Sequence, residues 1–190
     1  MMYKTVVKRT IDVICALLGL VALSPILLTI ALIVKIESNG SVLFKQKRIG
    51  KGKTQFEILK FRTMKIDTPR DVPTHLLDNP EKHITRVGKV LRRTSLDELP
   101  QLFNILKGDM SFIGPRPALW NQHNLIRERD KHGANEILPG LTGWAQINGR
   151  DELSIVQKAK HDGEYARNIS FLTDVRILIK TGRLMILAMD

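Results

Sequence analysis

The longest uncharged stretch of the chain, residues 13–34, has a proline near its middle. About 20 apolar residues are enough to cross the roughly 30 Å hydrocarbon layer of a bilayer. Pro25 has no N–H group, and its ring collides with the carbonyl four residues earlier, which predicts a sharp bend. Ser24 can bond the carbonyl that the proline frees, in surroundings that offer no water. The stretch therefore predicts a membrane segment that is broken at its centre.

Basic residues flank this stretch on both sides. The flanking cations are Lys4, Lys8, Arg9, Lys35, Lys45, Lys47 and Arg48. Because lysine and arginine collect on the cytoplasmic side of a membrane, a re-entrant hairpin over residues 1–36 satisfies both flanks. An ordinary signal anchor that crosses once is the alternative on hydropathy alone, since spanning helices tolerate proline.

The charge balance predicts an anionic partner. The 190 residues carry a formal net charge of +11, which suits nucleic acid, anionic lipid headgroups or phosphorylated substrates. Aromatic residues are only 5% of the chain, which weakens the case for single-stranded nucleic acid bound by base stacking. The single cysteine, Cys15, excludes a disulfide within the chain and a cysteine-based metal site. Residues 37–190 are enough for one domain with one core.

Local patterns predict a mostly helical α+β domain with one small β-hairpin. Residues 41–46 and 55–61 are the expected strands of the hairpin. Apolar spacing predicts a helix over 84–93 and another that begins near residue 96 and ends at Gly108. Residues 121–132 are expected to form a charged helix, 151–167 a polar helix and 171–188 a last, apolar helix. The last helix combines apolar residues with regularly placed cations. It is therefore either an amphipathic helix in the headgroup plane or an ordinary core helix.

The segment from residue 91 to 117 gathers charges that suit phosphate chemistry. Its centre is Asp97-Glu98. Neighbouring residues project about 100° apart on a helix, so the two carboxylates would have different roles. The helix that follows begins either at Ser95, in a capping box with Glu98, or nearer Pro100. Either start puts Asp97 near a helix N-terminus, where free N–H groups also favour a phosphate.

Arginines flank this carboxylate pair. Arg92 and Arg93 lie one turn upstream, and Arg116 stands between two prolines on a stiff tether. Fixed guanidinium groups around a carboxylate suit the handling of a phosphoryl group. The structural alternative is that Glu98 only caps the helix and that the arginines are solvated.

Five separated segments resemble the bacterial sugar transferase family. They are KRTID (8–12), SP (24–25), KFRTM (60–64), LRRTSLDELPQLFNILKGDMSFIGPRP (91–117) and PGLTGWAQINGR (139–150). These enzymes are polyprenol-phosphate phosphoglycosyl transferases with a monotopic membrane anchor, which begin surface-glycan assembly. The resemblance runs from about Lys8 to about Asp174.

The resemblance implies a role for each matching residue. Asp97 would be the nucleophile that attacks the β-phosphate of a UDP-sugar and the ligand of a Mg²⁺ cofactor, with Glu98 as the second catalytic carboxylate. The implied substrate-binding residues are Arg92, Arg116, Arg150, Lys60, Arg62 and Asp162. Lys8, Arg9 and Asp12 match the motif at the start of the re-entrant helix, and Ser24-Pro25 match its break.

The resemblance also implies partners and a location. The substrates would be a UDP-sugar and polyprenol phosphate, at the bacterial inner membrane, with the catalytic domain on the cytoplasmic face beside anionic headgroups. Downstream glycosyltransferases would be further partners. A noncatalytic subunit of a glycan-assembly complex is the alternative. A membrane-tethered nucleic-acid binder is less favoured because the chain shows no recognition helix, so no nucleic acid is expected as partner. Residues 65–84 and 121–135 are the expected determinants of sugar preference.

Overall fold

A bent pair of helices, an antiparallel hairpin and a set of shorter helices make up the computed structural model, which describes residues 2–69, 79–149 and 152–187. A π-helical turn over Tyr3–Val7 leads into the first helix. The helices are α1 (Lys8–Ala22), α2 (Ser24–Glu37), α3 (Arg86–Arg93), α4 (Gln101–Lys107), α5 (His123–Asp130), α6 (Trp144–Ile147), α7 (Ile155–Arg167) and α8 (Phe171–Leu187). The strands are β1 (Leu43–Ile49), β2 (Gln55–Phe61), β3 (Ser111–Ile113) and β4 (Gly140–Thr142).

The predicted bend at Pro25 is confirmed. The helix axis bends by 63° from a straight line between Tyr3–Ala22 and Ser24–Glu37. Ser24 Oγ donates to Val21 O at 2.8 Å, and this is the carbonyl that Pro25 leaves without its usual N–H partner. In the described part of the chain no single helix is long and apolar enough to cross a bilayer, but this bent pair passes that test by length and composition. A broken span and a re-entrant loop both fit that finding.

Both outer ends of the bent pair are fixed to the same body. At the start of α1, Arg9 donates to Ile105 O and Leu106 O at 2.6 and 2.9 Å, and so satisfies two carbonyls at the C-terminus of α4. Asp12 Oδ1, buried at the same end, accepts from Phe112 N at 3.1 Å. At the end of α2, Glu37 Oε1 accepts from Val87 N at 2.9 Å.

A buried carboxylate anchors the first turn of the bent pair to the C-terminal helices. Asp174, on α8, accepts from Lys8 Nζ at 2.7 Å, from Tyr3 OH at 2.7 Å and from Tyr165 OH at 2.6 Å. Its side chain is almost fully buried. A buried charge is stable only when it is paired and hydrogen-bonded, and these three donors meet that requirement.

The hairpin shares a core cluster with each helix of the bent pair. β1 and β2 pair antiparallel, from Leu43 opposite Phe61 to Ile49 opposite Gln55. One core cluster joins α1 and α4 to β2 through Ala16, Phe56 and Leu102, and a second joins α2 and α3 to β2 through Val34, Phe61 and Leu91. The hairpin was predicted, with its second strand at the observed residues. The first strand begins two residues later and continues to Ile49.

The second sheet was not predicted. β3 and β4 pair parallel, with Ser111 opposite Gly140 and Ile113 opposite Thr142. Glycines let the two main chains touch: a Cβ on Gly140 would lie 2.1 Å from Gly114 N, and a Cβ on Gly143 would lie 2.1 Å from Gly114 O. Only residues without a side chain fit this crossing.

The capping box at Ser95 was wrong. Ser95 has a left-handed backbone (φ 57°), its side chain caps nothing, and its N–H bonds back to Arg92 O at 3.2 Å, so it closes α3. Residues Leu96–Glu98 form one 3₁₀ turn, and α4 begins after Pro100, as the alternative start predicted. The other predicted helices are present with shorter bounds. The division of the chain into residues 1–36 and 37–190 stays a prediction.

Candidate active site

A cavity of about 780 Å³ lies between the hairpin, α3, α5 and α7. In the described part of the chain, its wall contains nine lysines and arginines but three carboxylates. The cations are Lys45, Arg48, Lys60, Arg62, Lys65, Arg92, Arg116, Arg129 and Lys158, and the carboxylates are Glu81, Asp97 and Asp162. A concave, strongly cationic wall raises the local concentration of anions, and its volume lies within the range of ligand sites.

Asp97 is the carboxylate at the centre of this wall. It lies in the 3₁₀ turn between α3 and α4, and it is 8% exposed. Burial raises the pKa of Asp97 and the adjacent Glu98 adds to the rise, while Lys60, Arg92 and Arg116 oppose it. Desolvation removes the water shell that an attacking carboxylate would otherwise have to lose. Asp97 is therefore a largely desolvated carboxylate with cations around it.

Glu98 has a different environment from its neighbour. Lys60 Nζ lies 2.5 Å from Glu98 Oε1, and Arg116 Nη2 lies 3.4 Å from the same oxygen. Burial alone would raise the pKa of Glu98, but Lys60 and Arg116 lower it to about 2. A carboxylate with so low a pKa is ionised at neutral pH and is a weak base. The arrangement suits Glu98 for holding two cations rather than for moving a proton.

Two predicted substrate-binding cations lie near the Asp97–Glu98 dyad. Lys60, on β2, is 17% exposed. Burial and Arg116 lower its pKa, which Glu98 and Asp97 oppose. Arg92, on the last turn of α3, donates through Nε to Thr63 Oγ1 at 3.1 Å and lines the cavity. The structure thus brings Asp97, Glu98, Lys60 and Arg92 together, as the resemblance implied.

Arg116 is carried by a loop whose main chain is fixed at four consecutive carbonyls. Pro115 O accepts from Gly140 N, Arg116 O from Arg129 Nη2, Pro117 O from Arg48 Nη1 and Ala118 O from Ile49 N, each at 2.9 Å. The two prolines restrict the loop further, since their rings fix φ. The Arg116 side chain itself is 45% exposed and points at Glu98.

Two predicted residues, Asp162 and Arg62, stand apart from the dyad. Asp162 lines the cavity but pairs directly with Arg129, at 2.7 Å. Arg62 lines the cavity as well, yet its guanidinium donates to Ser38 O, Ser38 Oγ and Asn39 O, which fastens the end of α2 to the hairpin. Arg150 lies outside the described residues. Lys8, Arg9 and Asp12, at the start of α1, bond to α8, α4 and Phe112 and do not line the cavity.

Sequence reasoning missed two arginines of the cavity. Arg48 had been counted only as a flanking cation, and Arg129 only as part of a charged helix. Arg48 donates to Gln46 Oε1 and to Pro117 O. Its pKa is lowered to about 10, mainly by burial and to a smaller extent by repulsion from Arg116. Arg129 lies four residues after the buried Leu125 and shares its face of α5. That i, i+4 spacing was the available signal.

The donor set fits a magnesium ion only together with a substrate. No group of three His, Cys, Asp or Glu side chains gathers within residues 2–69, 79–149 and 152–187. Of the dyad, Glu98 is committed to Lys60 and Arg116, while Asp97 remains directed into the cavity. Mg²⁺ commonly binds through one or two carboxylates plus substrate phosphates, so a single carboxylate is sufficient.

A buried carboxylate in a cationic cavity suits chemistry on an anionic substrate, and the bent helix pair passes a length and composition test for a membrane segment. Comparison with known proteins agrees: the model of the bacterial sugar transferase family matches residues 3–188. The chain therefore belongs to the bacterial sugar transferase family, and the prediction of a transferase enzyme is confirmed at that level.

Individual relatives differ in length. A sugar transferase of Bacillus subtilis, EpsL, is 41% identical over 178 residues, which cover 94% of this chain and 86% of the relative. A UDP-N-acetylgalactosamine-undecaprenyl-phosphate N-acetylgalactosaminephosphotransferase of Aeromonas hydrophila is 39% identical over 187 residues, with coverage of 93% and 43%. A UDP-glucose:undecaprenyl-phosphate glucose-1-phosphate transferase of Escherichia coli is 41% identical over 181 residues, with coverage of 92% and 39%. The chain thus spans about two fifths of the last two proteins.

Proposed function

We propose that this chain transfers a sugar 1-phosphate from a UDP-sugar to polyprenol phosphate, with Asp97 as nucleophile. The observation that carries the proposal is a buried carboxylate, Asp97, in a cavity whose wall is otherwise strongly cationic. The names of the Aeromonas and Escherichia relatives support the reaction class. Because those names specify different sugars, they leave the sugar of this chain open.

The reaction would proceed in two displacements at one phosphorus. A carboxylate oxygen of Asp97 bonds to the β-phosphorus of the UDP-sugar, the bond from that phosphorus to the bridging oxygen breaks, and UMP leaves. An oxygen of polyprenol phosphate then bonds to the same phosphorus, and the Asp97 carboxylate is released. The product is a polyprenol-diphosphate sugar. Dividing one displacement into two through a covalent intermediate is an established strategy of nucleophilic catalysis.

The surrounding cations address the main obstacle, which is repulsion between a carboxylate and a phosphate. Lys60, Arg92 and Arg116 already act on Asp97. Lys60 and Arg92 would stabilise the negative charge of the transition state, while Arg116 would bind a phosphate of the donor. Glu98 would keep Lys60 and Arg116 in place. We propose that Mg²⁺, held by Asp97 and the substrate phosphates, supplies further charge neutralisation when bound.

Release of UMP from a panel of UDP-sugars, with purified protein and polyprenol phosphate, tests the proposal. We expect Asp97→Asn to abolish UMP release and to prevent covalent labelling by a sugar-labelled donor. Glu57→Gln, which removes an exposed carboxylate that does not line the cavity, is the control and should keep both. Full labelling of the Asp97→Asn protein would rule out this nucleophile.

We propose further that the bent helix pair is re-entrant. The start of α1 and the end of α2 are fixed to one body, which supports placing both on one side of the membrane. Helices of 15 and 14 residues, at about 1.5 Å per residue and a bend of 63°, would then carry the break to a depth of about 11 Å. That is less than half of a hydrocarbon layer of about 30 Å.

Cysteine accessibility in sealed vesicles tests this topology. After Cys15→Ser, single cysteines at Tyr3 and Phe44 should react from the same, cytoplasmic side. Reaction of position 3 from the opposite side would refute the re-entrant arrangement. Pro25→Ala should shift the pair towards a full span, because it restores a helical N–H at the break.

A further inference from the structure

The cavity wall contains a buried ion pair that neither the dyad nor the membrane helices explain. Arg129, on α5, donates through Nε to Asp162 Oδ2, on α7, at 2.8 Å, and its Nη2 lies 2.7 Å from the same oxygen. The two side chains are 7% and 2% exposed. Burying two charges is costly unless their geometry is good and their remaining donors are used. The acceptors of the other Arg129 N–H groups therefore indicate what the ion pair supports.

The spare donor of Arg129 goes to the loop that carries Arg116. Arg129 Nη2 donates to Arg116 O at 2.9 Å, while the flanking carbonyls of Pro115 and Pro117 are held by Gly140 and Arg48. Gly140 thus holds the peptide on the N-terminal side of Arg116, and Arg129 holds the peptide on its C-terminal side, through the carbonyl of Arg116 itself. The position of the Arg116 Cα therefore depends in part on a guanidinium that Asp162 holds in place.

The Arg116 side chain has little else to orient it. It is 45% exposed, and its contact with Glu98 is long, at 3.4 Å. A partly exposed arginine with one long ion pair keeps much of its rotamer freedom, so its placement depends strongly on where the main chain starts it. By contrast, the guanidinium of Arg129 is already committed to Asp162 and to the loop.

We propose that Arg129 is a positioning residue, which acts on the substrate through the main chain of Arg116, and that Asp162 serves by holding Arg129. This inference rests on the proposed phosphoglycosyl transfer, in which Arg116 binds a substrate phosphate. It assigns Asp162 an indirect role in place of direct substrate contact. A displaced Arg116 would bind the donor less well without changing the chemistry at Asp97.

Arg129→Lys separates the two functions of the side chain. Lysine can still pair with Asp162, but it cannot also donate to Arg116 O in the geometry of the guanidinium fork. In the full-length protein, we expect the KM for the UDP-sugar to rise about tenfold and kcat to stay within twofold. Arg127→Lys, at an exposed position of the same helix, is the matched control and should change neither.

A double-mutant cycle with Arg116→Ala decides between indirect and direct action. If Arg129 acts through Arg116, Arg129→Lys should change KM less than twofold once Arg116 is alanine. If the two effects multiply, Arg129 contacts the substrate itself or acts elsewhere, and the inference is overturned. Asp162→Asn should follow the same pattern, and it provides the cycle if Arg129→Lys lowers the melting temperature too far to assay.

The outcome also separates this inference from the function on which it rests. A wild-type protein that releases no UMP from any UDP-sugar overturns the proposed function and this inference with it. Multiplying effects in an active wild-type enzyme overturn the inference alone.

Discussion

Removing the charge of Glu98 should destabilise the protein in a manner that depends on pH. The perturbation is Glu98→Gln, which keeps the shape of the side chain but leaves Lys60 and Arg116 without their carboxylate. The pKa of Glu98 falls from 4.5 to about 2 in the folded protein. At 1.36 kcal/mol per unit, that shift corresponds to about 3 kcal/mol of stabilisation of the ionised form. The Glu98 side chain is 19% exposed, so solvent screening removes only part of it.

The sign of the pH dependence follows from the direction of the shift. A carboxylate whose pKa is lowered by folding contributes its full stabilisation above its unfolded pKa and loses it as the pH falls towards the folded value. The gap in unfolding free energy between wild type and Glu98→Gln should therefore be about 3 kcal/mol at pH 7 and about 1.5 kcal/mol at pH 3.

Equilibrium urea unfolding in detergent micelles, followed by circular dichroism at both pH values, measures this gap. Glu57→Gln is the matched control, since Glu57 pairs with Lys45 at 3.5 Å on the surface and both side chains are 57% exposed. Exposed pairs contribute about 0–1 kcal/mol, so the control should change little at either pH. A Glu98→Gln protein as stable as wild type at pH 7, or a gap that is the same at pH 7 and pH 3, would show that the cations do not hold Glu98 as argued.

Three further predictions concern the contacts that hold the site and the helix pair together. Gly140→Ala should unfold the protein or lower its melting temperature severely, because the new Cβ would lie 2.1 Å from Gly114 N. Gly182→Ala is the control: this glycine lies in open space on α8, so the substitution should leave the melting temperature unchanged or raise it. Arg9→Gln removes two donors from the C-terminus of α4 and should cost about 2 kcal/mol, seen as faster hydrogen exchange of α4 amides. Lys8→Met should cost about 3–5 kcal/mol in thermal or urea unfolding, because it leaves the buried Asp174 without its cation; a smaller loss than in Arg9→Gln would contradict this estimate.

The sequence was most informative where one residue type has one strong physical consequence. Pro25 lacks a donor wherever it stands in a helix, so the break and the Ser24 contact could be predicted without any tertiary information. Alternating residues from 55 to 61 predicted the second strand of the hairpin, because half-buried strands impose a period of two. The charges of segment 91–117 indicated the dyad, Arg92 and Arg116, and the family resemblance added Lys60. The structure brings these side chains together.

Features that depend on distant partners were missed. β3 and β4 have three residues each, too few to show a period, and their pairing rests on close contact between glycines 26 residues apart in the chain. Arg127 and Arg129 look alike in the sequence, although only Arg129 is buried, because packing against α7 decides the difference. Serine is a common N-cap residue, but Ser95 adopts a left-handed backbone and its N–H bonds to Arg92 O at the end of α3.

The crossing of Gly114 with Gly140 and Gly143 has a consequence for how this site could be altered. A joint made of backbone on backbone has no rotamers, so repacking of neighbouring side chains cannot shift it by small steps. The segment beyond Gly114 thus begins from a point that is rigid by construction. A new substrate preference would have to arise by exchange of side chains around the cavity, while the main chain at Gly114, Gly140 and Gly143 stays unchanged.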